Sequence, residues 1–465
     1  MRGGLDPVDL VDYHGIVAPE KPAVIAGDAI VTFGMLRGAV HTLKQRLASF
    51  DLAPGSVVVV WVSAPARHVA INLALAALGL VCAPVGSKAG LELIDKPSLI
   101  LAEPGADAGR DAVEVGDDWF AGSPPEAQAS RRHVADDALM RIGSSSGSTG
   151  SPKPMLYPRW LYNAHVAAPA AGYEIAGPWS RMLSMMDITS SWGWFATLAV
   201  LSSGRTICFA ASSQDTLRLI SVYSCDCMIA SVFQLRALVE TQRQHFVPVP
   251  SLRGIIMGGS SIPEELVHGI QATLTQRVVL GYGSTEVGLS AMEIVSEQPW
   301  QDGATGFVTP WTDIEAVDLS HQPMPIGREG ELRLRLRDGL NTGEWFYSGD
   351  RGNVSPAGRL TITGRTSDLI NIGGVKLAPE MFEQVLLSFP GVRDAGVVGV
   401  RGRGGLESVA AAVVGNDPID FGALERHCAQ RNELAVPSRF VQVAAIPRGL
   451  TGKIARPTLR EMLGE

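Results

Sequence analysis

Three observations predict an α/β fold with a large N-terminal domain and a small C-terminal lobe. Short apolar runs alternate with stretches of helical period through roughly the first 280 residues, the pattern of repeated strand–helix–strand units. After about Ala304 the character changes: Glu331-Leu332-Arg333-Leu334-Arg335-Leu336 alternates strictly, as a half-exposed strand does, and marks a small β subdomain. Beyond Gly364-Arg365-Thr366-Ser367-Asp368 enough chain remains for a separate α+β lobe. The expected division is 1–366 for the large domain of parallel-rich sheets with helices, and 369–465 for the lobe.

The elements follow in order. A short hairpin ends near Val31, and Thr32 caps a helix whose Leu36, Val40, Leu43 and Leu47 recur at helical spacing. Val57 to Val62 is a continuous apolar run, the mark of a strand buried on both faces. A helix around Val69 to Leu78 and a strand from Leu80 to Val85 complete one unit. Residues 103–137 are acidic, with Gly and Pro, and read as surface loops. A strand at Ala138 to Ile142 and a helix from Tyr157 to Ala171 follow. A further unit is read at Met182–Met186, Trp192–Leu201 and Thr206–Ala210. Then come Cys227–Ser231, a helix Phe233–Gln242, a strand Leu252–Met257 and a helix Pro263–Leu274 with Pro in its first turn. A short strand, Val278–Leu280, runs into Gly281-Tyr282-Gly283-Ser284-Thr285-Glu286. The lobe is expected to hold helices at Pro379–Phe389 and Phe421–Asn432 with strands at Ala395–Val400 and Val409–Val414.

Composition narrows the function. The 465 residues are 46% hydrophobic and 18% charged, which suits a globular enzyme with ample core. A net charge of −8 without a basic cluster argues against nucleic acid. The apolar run Val69–Val85 contains Asn72 and breaks at Gly79, so it is not a membrane span. The five scattered cysteines lack metal-ligand spacing, and with no secretory leader they fit a reducing cytoplasm.

The chemistry centres on Ser145-Ser146-Gly147-Ser148-Thr149-Gly150-Ser151-Pro152-Lys153. Small residues let backbone N–H groups turn inward on an anion, and the hydroxyls and ammonium add donors. Such a loop holds phosphate oxygens. It is not a Walker loop, because its lysine follows a proline. A flexible Ser/Gly linker shares the composition, but the Pro-Lys ending and the apolar chain on both sides argue against one.

Six motifs in one order make the chain resemble the acyl-adenylate-forming superfamily: acyl- and aryl-CoA synthetases, adenylation domains and luciferases. The resemblance runs from about Pro19 to Leu463. It implies that Ser145, Ser146, Gly147, Ser148, Thr149, Gly150 and Lys153 grip the ATP β- and γ-phosphates. Pro154 stands where the family has glycine, which implies a stiffer loop exit. Gly258, Gly259, Ser260 and Ser261 would frame adenine and one wall of the acyl pocket. In the segment Gly281, Tyr282, Gly283, Thr285 and Glu286, Tyr282 would stack on adenine, Thr285 bond phosphate and Glu286 help hold Mg²⁺. Asp350, ending Trp345-Phe346-Tyr347-Ser348-Gly349-Asp350, would take the ribose hydroxyls, with Arg365 nearby. Lys453, in Pro447-Arg448-Gly449-Leu450-Thr451-Gly452-Lys453-Ile454, sits at the family's catalytic lysine.

The same resemblance implies a two-step reaction, acid plus ATP to acyl-AMP, then thioester formation with CoA or a phosphopantetheine thiol. Asp368 matches the hinge about which the lobe turns, and Gly373 and Gly374 would line the thiol tunnel. Met381 replaces a glutamate common in relatives. The acyl pocket falls on Asp187-Ile188-Thr189-Ser190-Ser191-Trp192-Gly193-Trp194, with Asp187, Ser191, Trp192, Gly258 and Gly283 as its candidate lining. Asp187 either pairs with a substrate amino group or caps the next helix. The two tryptophans suggest a compact or aromatic-lined pocket for a small carboxylic acid. Two rivals stand beside the CoA synthetase: a stand-alone adenylation enzyme that loads a carrier protein in trans, and a nucleotide-binding regulator without catalysis. Retention of Lys153, Glu286, Asp350, Arg365 and Lys453 argues against the regulator.

Overall fold

The computed structural model describes residues 6–122, 135–145, 153–260, 262–295, 303–337, 344–372, 375–401, 407–431, 436–449 and 453–464. Thirteen of its strands form one sheet. Pro22–Ala26, Thr206–Phe209, Arg181–Ser184, Cys227–Ser231, Gly254–Gly258 and Val278–Ser284 lie parallel in that order. Their residues are apolar and almost wholly buried, because helices cover both faces.

The direction reverses at Val278–Ser284, which pairs antiparallel with Gly288–Ile294. From there the sheet continues antiparallel through Ala304–Val308, Arg359–Arg365, Phe346–Val354, Gly330–Leu336 and Thr312–Val317. The β-rich segment is therefore hydrogen-bonded onto the main sheet rather than set apart. Gly330–Leu336 shows the alternating burial its sequence predicts, with leucines inward and arginines outward.

A second sheet holds Val113–Glu114, Leu99–Ala102, Val57–Trp61, Val81–Pro84 and Leu139–Ser145 in parallel, with Lys153–Pro158 antiparallel at its edge. One apolar core joins the two sheets, with Val58 and Val60 of one sheet and Ile207 and Ile229 of the other in the same cluster. The helices Arg159–Ala176 and Ser191–Ser202 contribute to it, and the second is buried nearly all round from Gly193 to Ser202. Each large side chain fully buried there contributes about 1.5–3 kcal/mol.

Four local expectations change. Tyr157 belongs to the strand Lys153–Pro158, and the following helix begins at Arg159, because backbone pairing with Leu139–Ser145 claims the segment up to Pro158. Val278–Ser284 extends through the glycine motif, since the hairpin partner Gly288–Ile294 gives its backbone a ladder. Pro263 is the N-cap, not the first helical residue. Ser190, not Asp187, caps Ser191–Ser202 by accepting from the Gly193 N–H. Thr32 caps Phe33–Ala48 as read, accepting from the Met35 N–H.

The C-terminal part has its own sheet of Asp394–Arg401, Glu407–Val414 and Arg439–Gln442, with helices Pro379–Leu387, Phe421–Arg431 and Arg456–Leu463. Phe382, Leu386, Val397, Ala411 and Leu424 form its separate core. All five cysteines are free thiols and buried. No described helix is long and apolar enough to cross a membrane.

Candidate active site

The parallel strands Gly254–Gly258 and Val278–Ser284 end side by side, and ligands gather outside such carboxyl ends. Gly258 faces Gly281 in register, and a Cβ at Gly258 would lie 2.2 Å from the Gly281 carbonyl oxygen. The two strands approach this closely only because position 258 lacks a side chain. Gly258→Ala is expected to destabilise the protein by about 1–3 kcal/mol and raise the KM for ATP. A melting temperature and KM equal to the wild type refute this.

Past the strand end, Thr285 is held from behind. Its carbonyl accepts from the Tyr157 hydroxyl at 3.0 Å and lies 3.0 Å from His165 Nε2. Burial holds His165 down to about 4, so its ring is neutral near pH 7. Tyr157 is fully buried, and burial raises its phenol well above the usual range. Its hydroxyl also sits 2.8 Å from Ser191 Oγ. The single phenolic proton goes to the Thr285 carbonyl, so Ser191 donates to Tyr157. Ser191 then presents only lone pairs elsewhere. Trp192 packs beside Gly258 and Gly259; a Cβ at these positions would lie 3.7 Å and 3.9 Å from its ring. Thus Ser191, Trp192, Gly258, Gly259 and Thr285 lie together. Gly283 and Gly281 lie on the same strand, and Ser260 is exposed just beyond Gly259.

Glycine at 349 and the neighbouring hairpin bring Asp350 opposite Arg365 in strand register. One Asp350 oxygen accepts from the Tyr282 hydroxyl at 2.7 Å, the other from Arg365 Nε at 2.8 Å. Burial, then the Asp350 charge, raises the Tyr282 phenol far above its usual range. Lys453 of the C-terminal lobe reaches the same place. Burial and then Arg365 lower its pKa below the lysine range, while Asp350, Glu286 and Asp368 favour the cation. Burial raises Glu286 above the usual carboxylate range, opposed by Lys453 and Arg365. Two cations and three carboxylates from four distant segments therefore meet in one partly desolvated cluster.

Among the described residues no group of three His, Cys, Asp or Glu side chains converges as a metal cage. Glu286 offers a hard oxygen donor in this cluster, which fits Mg²⁺ that takes its other ligands from phosphate and water. Lys153 is exposed and pairs with Ser145 at the mouth of the hairpin. Ser146, Gly147, Ser148, Thr149, Gly150, Ser261, Gly373 and Gly374 lie outside the described residues.

Two residues of the expected pocket stretch make local contacts. Asp187 is exposed, and its carboxylate accepts from the Thr189 N–H at 2.7 Å and the Thr189 hydroxyl at 2.8 Å, which closes a local turn. Trp194 is fully buried and donates to the Tyr162 hydroxyl at 3.0 Å, so it belongs to the core and only Trp192 reaches the site.

Asp368 sits between the lobes. Its carboxylate accepts from Arg456 Nε at 2.9 Å, and its N–H donates to the Arg365 carbonyl at 3.3 Å. Arg456 also holds Glu383 at 2.6 Å and Glu380 at 2.7 Å. The lobe touches the large domain where Arg448 stacks on Phe233, at 5.1 Å, and where Arg236 donates to the Arg393 carbonyl at 3.1 Å. Local sequence does not mark Tyr157, His165 or Arg456 as site residues. The available signal for Arg456 was its place three residues after Lys453; Tyr157 and His165 read as ordinary helix positions.

A sheet-end nucleotide site closed by a lysine-bearing C-terminal lobe defines an adenylate-forming type of α/β enzyme. Residues 14–340 match the AMP-binding enzyme family, and residues 381–453 match the AMP-binding enzyme C-terminal domain. The chain belongs to the AMP-binding enzyme family. It is 28% identical over 348 residues to a 4-chlorobenzoate–CoA ligase of an Arthrobacter species, which spans 69% of this chain and 65% of that ligase. It is 28% identical over 490 residues to the 2-succinylbenzoate–CoA ligase of Bacillus licheniformis, spanning 98% of this chain and 100% of the relative. The fold matches that of the o-succinylbenzoate CoA synthetase from Bacillus subtilis in complex with its acyl-adenylate intermediate, with a TM-score of 0.83, 22% identity and 97% of each chain covered.

Proposed function

We propose that this protein is an ATP-dependent, AMP-forming acid–thiol ligase that makes CoA thioesters of a small aryl or acyl acid. The reading rests above all on Lys453, which enters a cluster with Glu286, Asp350 and Arg365 from the opposite lobe. In the first step an acid oxygen attacks the ATP α-phosphorus and the bond to the β-phosphate bridging oxygen breaks. Acyl-AMP and pyrophosphate result. Lys453 neutralises the charge that develops on the carboxylate and α-phosphate oxygens. Asp350 takes the ribose hydroxyls, and Tyr282 lies under adenine. Mg²⁺, when bound at Glu286, offsets phosphate charge. In the second step a thiol sulfur attacks the acyl carbon, AMP departs with the bonding pair, and the thiol proton is released.

Aryl-CoA and acyl-CoA ligases among the relatives support the acid class, and the indole of Trp192 offers a flat wall beside Gly258 and Gly259. We place the hinge at Asp368, between a body of 1–366 and a lobe of 369–465. Pyrophosphate exchange over a panel of aryl, fatty and amino acids tests the first step; exchange with none of them overturns the reading. Free CoA and a carrier-protein phosphopantetheine, compared as acceptors, separate the two thiol readings. Asp368→Pro removes the N–H to Arg365 and the carboxylate to Arg456 together and stiffens the turn. It is expected to slow thioester formation about 10-fold more than pyrophosphate exchange. Equal slowing of both half-reactions would contradict the hinge.

A further inference from the structure

Arg141 is fully buried on the strand Leu139–Ser145. Nη1 donates to Asn72 Oδ1 at 2.9 Å and Nη2 to the Thr189 carbonyl at 3.1 Å. The guanidinium stacks over Trp194, 4.9 Å from the ring centroid. Its Nε has no hydrogen-bond partner, and among the described residues no carboxylate forms an ion pair with it. The groups packed on it are uncharged: Asn72, the Trp194 face, Tyr157, Tyr162, Cys82 and His68, whose pKa burial and then Arg141 hold down to about 4 against the pull of the Asp187 charge.

A buried guanidinium without a counter-ion is costly, and an apolar residue of similar volume is often the more stable choice. What this one does is join two segments. Its own strand runs on, four residues later, to Ser145 at the start of the phosphate-loop motif. The Thr189 carbonyl belongs to the turn that enters Ser191–Ser202. Ser191 in that turn reaches Thr285 through Tyr157, and Trp192 packs on Gly258 and Gly259. Both hydrogen-bond partners are neutral oxygens in fixed directions, and the third partner is a flat π face. Such a set reads the planar fork of arginine rather than its charge.

We propose that Arg141 is a positioning residue that fixes the 187–191 turn and thereby determines which acid the site accepts. The inference rests on the adenylation reading, with the acid beside Ser191 and Trp192. It requires no contact between Arg141 and the substrate.

The test uses the full-length enzyme and the acid with the fastest wild-type pyrophosphate exchange. Arg141→Met and Arg141→Lys are each expected to raise the KM for that acid about 10-fold or more, as a misplaced wall does. They should also flatten the ranking of acids across the panel and leave the KM for ATP within about 2-fold. Lysine keeps the charge but not the fork, so it should not rescue. Asn72→Leu loosens the far end of the same guanidinium and should shift the acid KM in the same direction, by less. An acid KM and ranking unchanged in all three variants overturn the inference while the adenylation reading stands. So does a parallel rise in both KM values tracking a fall in melting temperature, which marks a purely structural role. Exchange with no acid in the wild type overturns both.

Discussion

Lys453→Ala is expected to cut acid-dependent pyrophosphate exchange by about 10²–10³-fold while transfer from supplied acyl-AMP to the thiol stays within a few-fold. The reason is the cluster that Lys453 completes. Glu286, Asp350 and Asp368 all favour its cation, and burial and Arg365 oppose it. Two anions, a carboxylate and a triphosphate, meet in the first step, so removing this cation acts most on that transition state. Thiol attack on the acyl carbon develops no comparable charge there. The same balance gives a pH signature. Burial and Arg365 favour the neutral amine, so the ammonium loses its proton below the usual lysine range. Exchange activity should fall on the alkaline side with an apparent pKa below that range. Lys453→Arg keeps its charge to higher pH and should move that limb upward in whatever activity remains. Equal loss of both half-reactions in Lys453→Ala would count against the assignment.

Asp350→Ala should abolish measurable ATP saturation and lower stability by about 2–3 kcal/mol, between the values for exposed and fully buried pairs. Both carboxylate oxygens are occupied, one by Tyr282 and one by Arg365. Removing them leaves a phenol and a guanidinium without their acceptor in a partly enclosed site and, on the proposed function, takes the ribose acceptor away as well. Asp350→Asn keeps the shape and one acceptor oxygen but turns an amide N–H₂ toward a donor. Its melting temperature should fall between those of the wild type and Asp350→Ala, with KM for ATP still raised. A melting temperature of Asp350→Ala equal to the wild type would refute the structural half; an unchanged KM, the nucleotide half.

Much of the site was readable from local chemistry. The Gly281–Glu286 segment and Lys453 are marked by their adjacent residues and their order along the chain, and the fold brings Glu286 and Lys453 together; the motif Ser145–Lys153 is described only at its two ends. Boundaries failed where pairing with a distant partner decided them. Tyr157 reads as helix from its neighbours, yet the Leu139–Ser145 strand claims it. Trp192 and Trp194 are two residues apart, too close in sequence to distinguish, but the helix sends one to the site and the other into the core. Asp187 suits a cap or an amine partner by residue type; in the fold its carboxylate accepts from the Thr189 N–H and hydroxyl, and Ser190 caps the helix.

The sequence by itself determined the alternation of strand and helix and the family, because these depend on residues that are neighbours or near neighbours along the chain. Tertiary structure alone decided which side chains share a proton or a charge: Tyr157 between Ser191 and Thr285, Asp350 between Tyr282 and Arg365, and Arg141 among neutral partners. Hydrogen bonds and desolvation act over a few ångströms in space, whatever the separation in sequence, so only the folded chain fixes them.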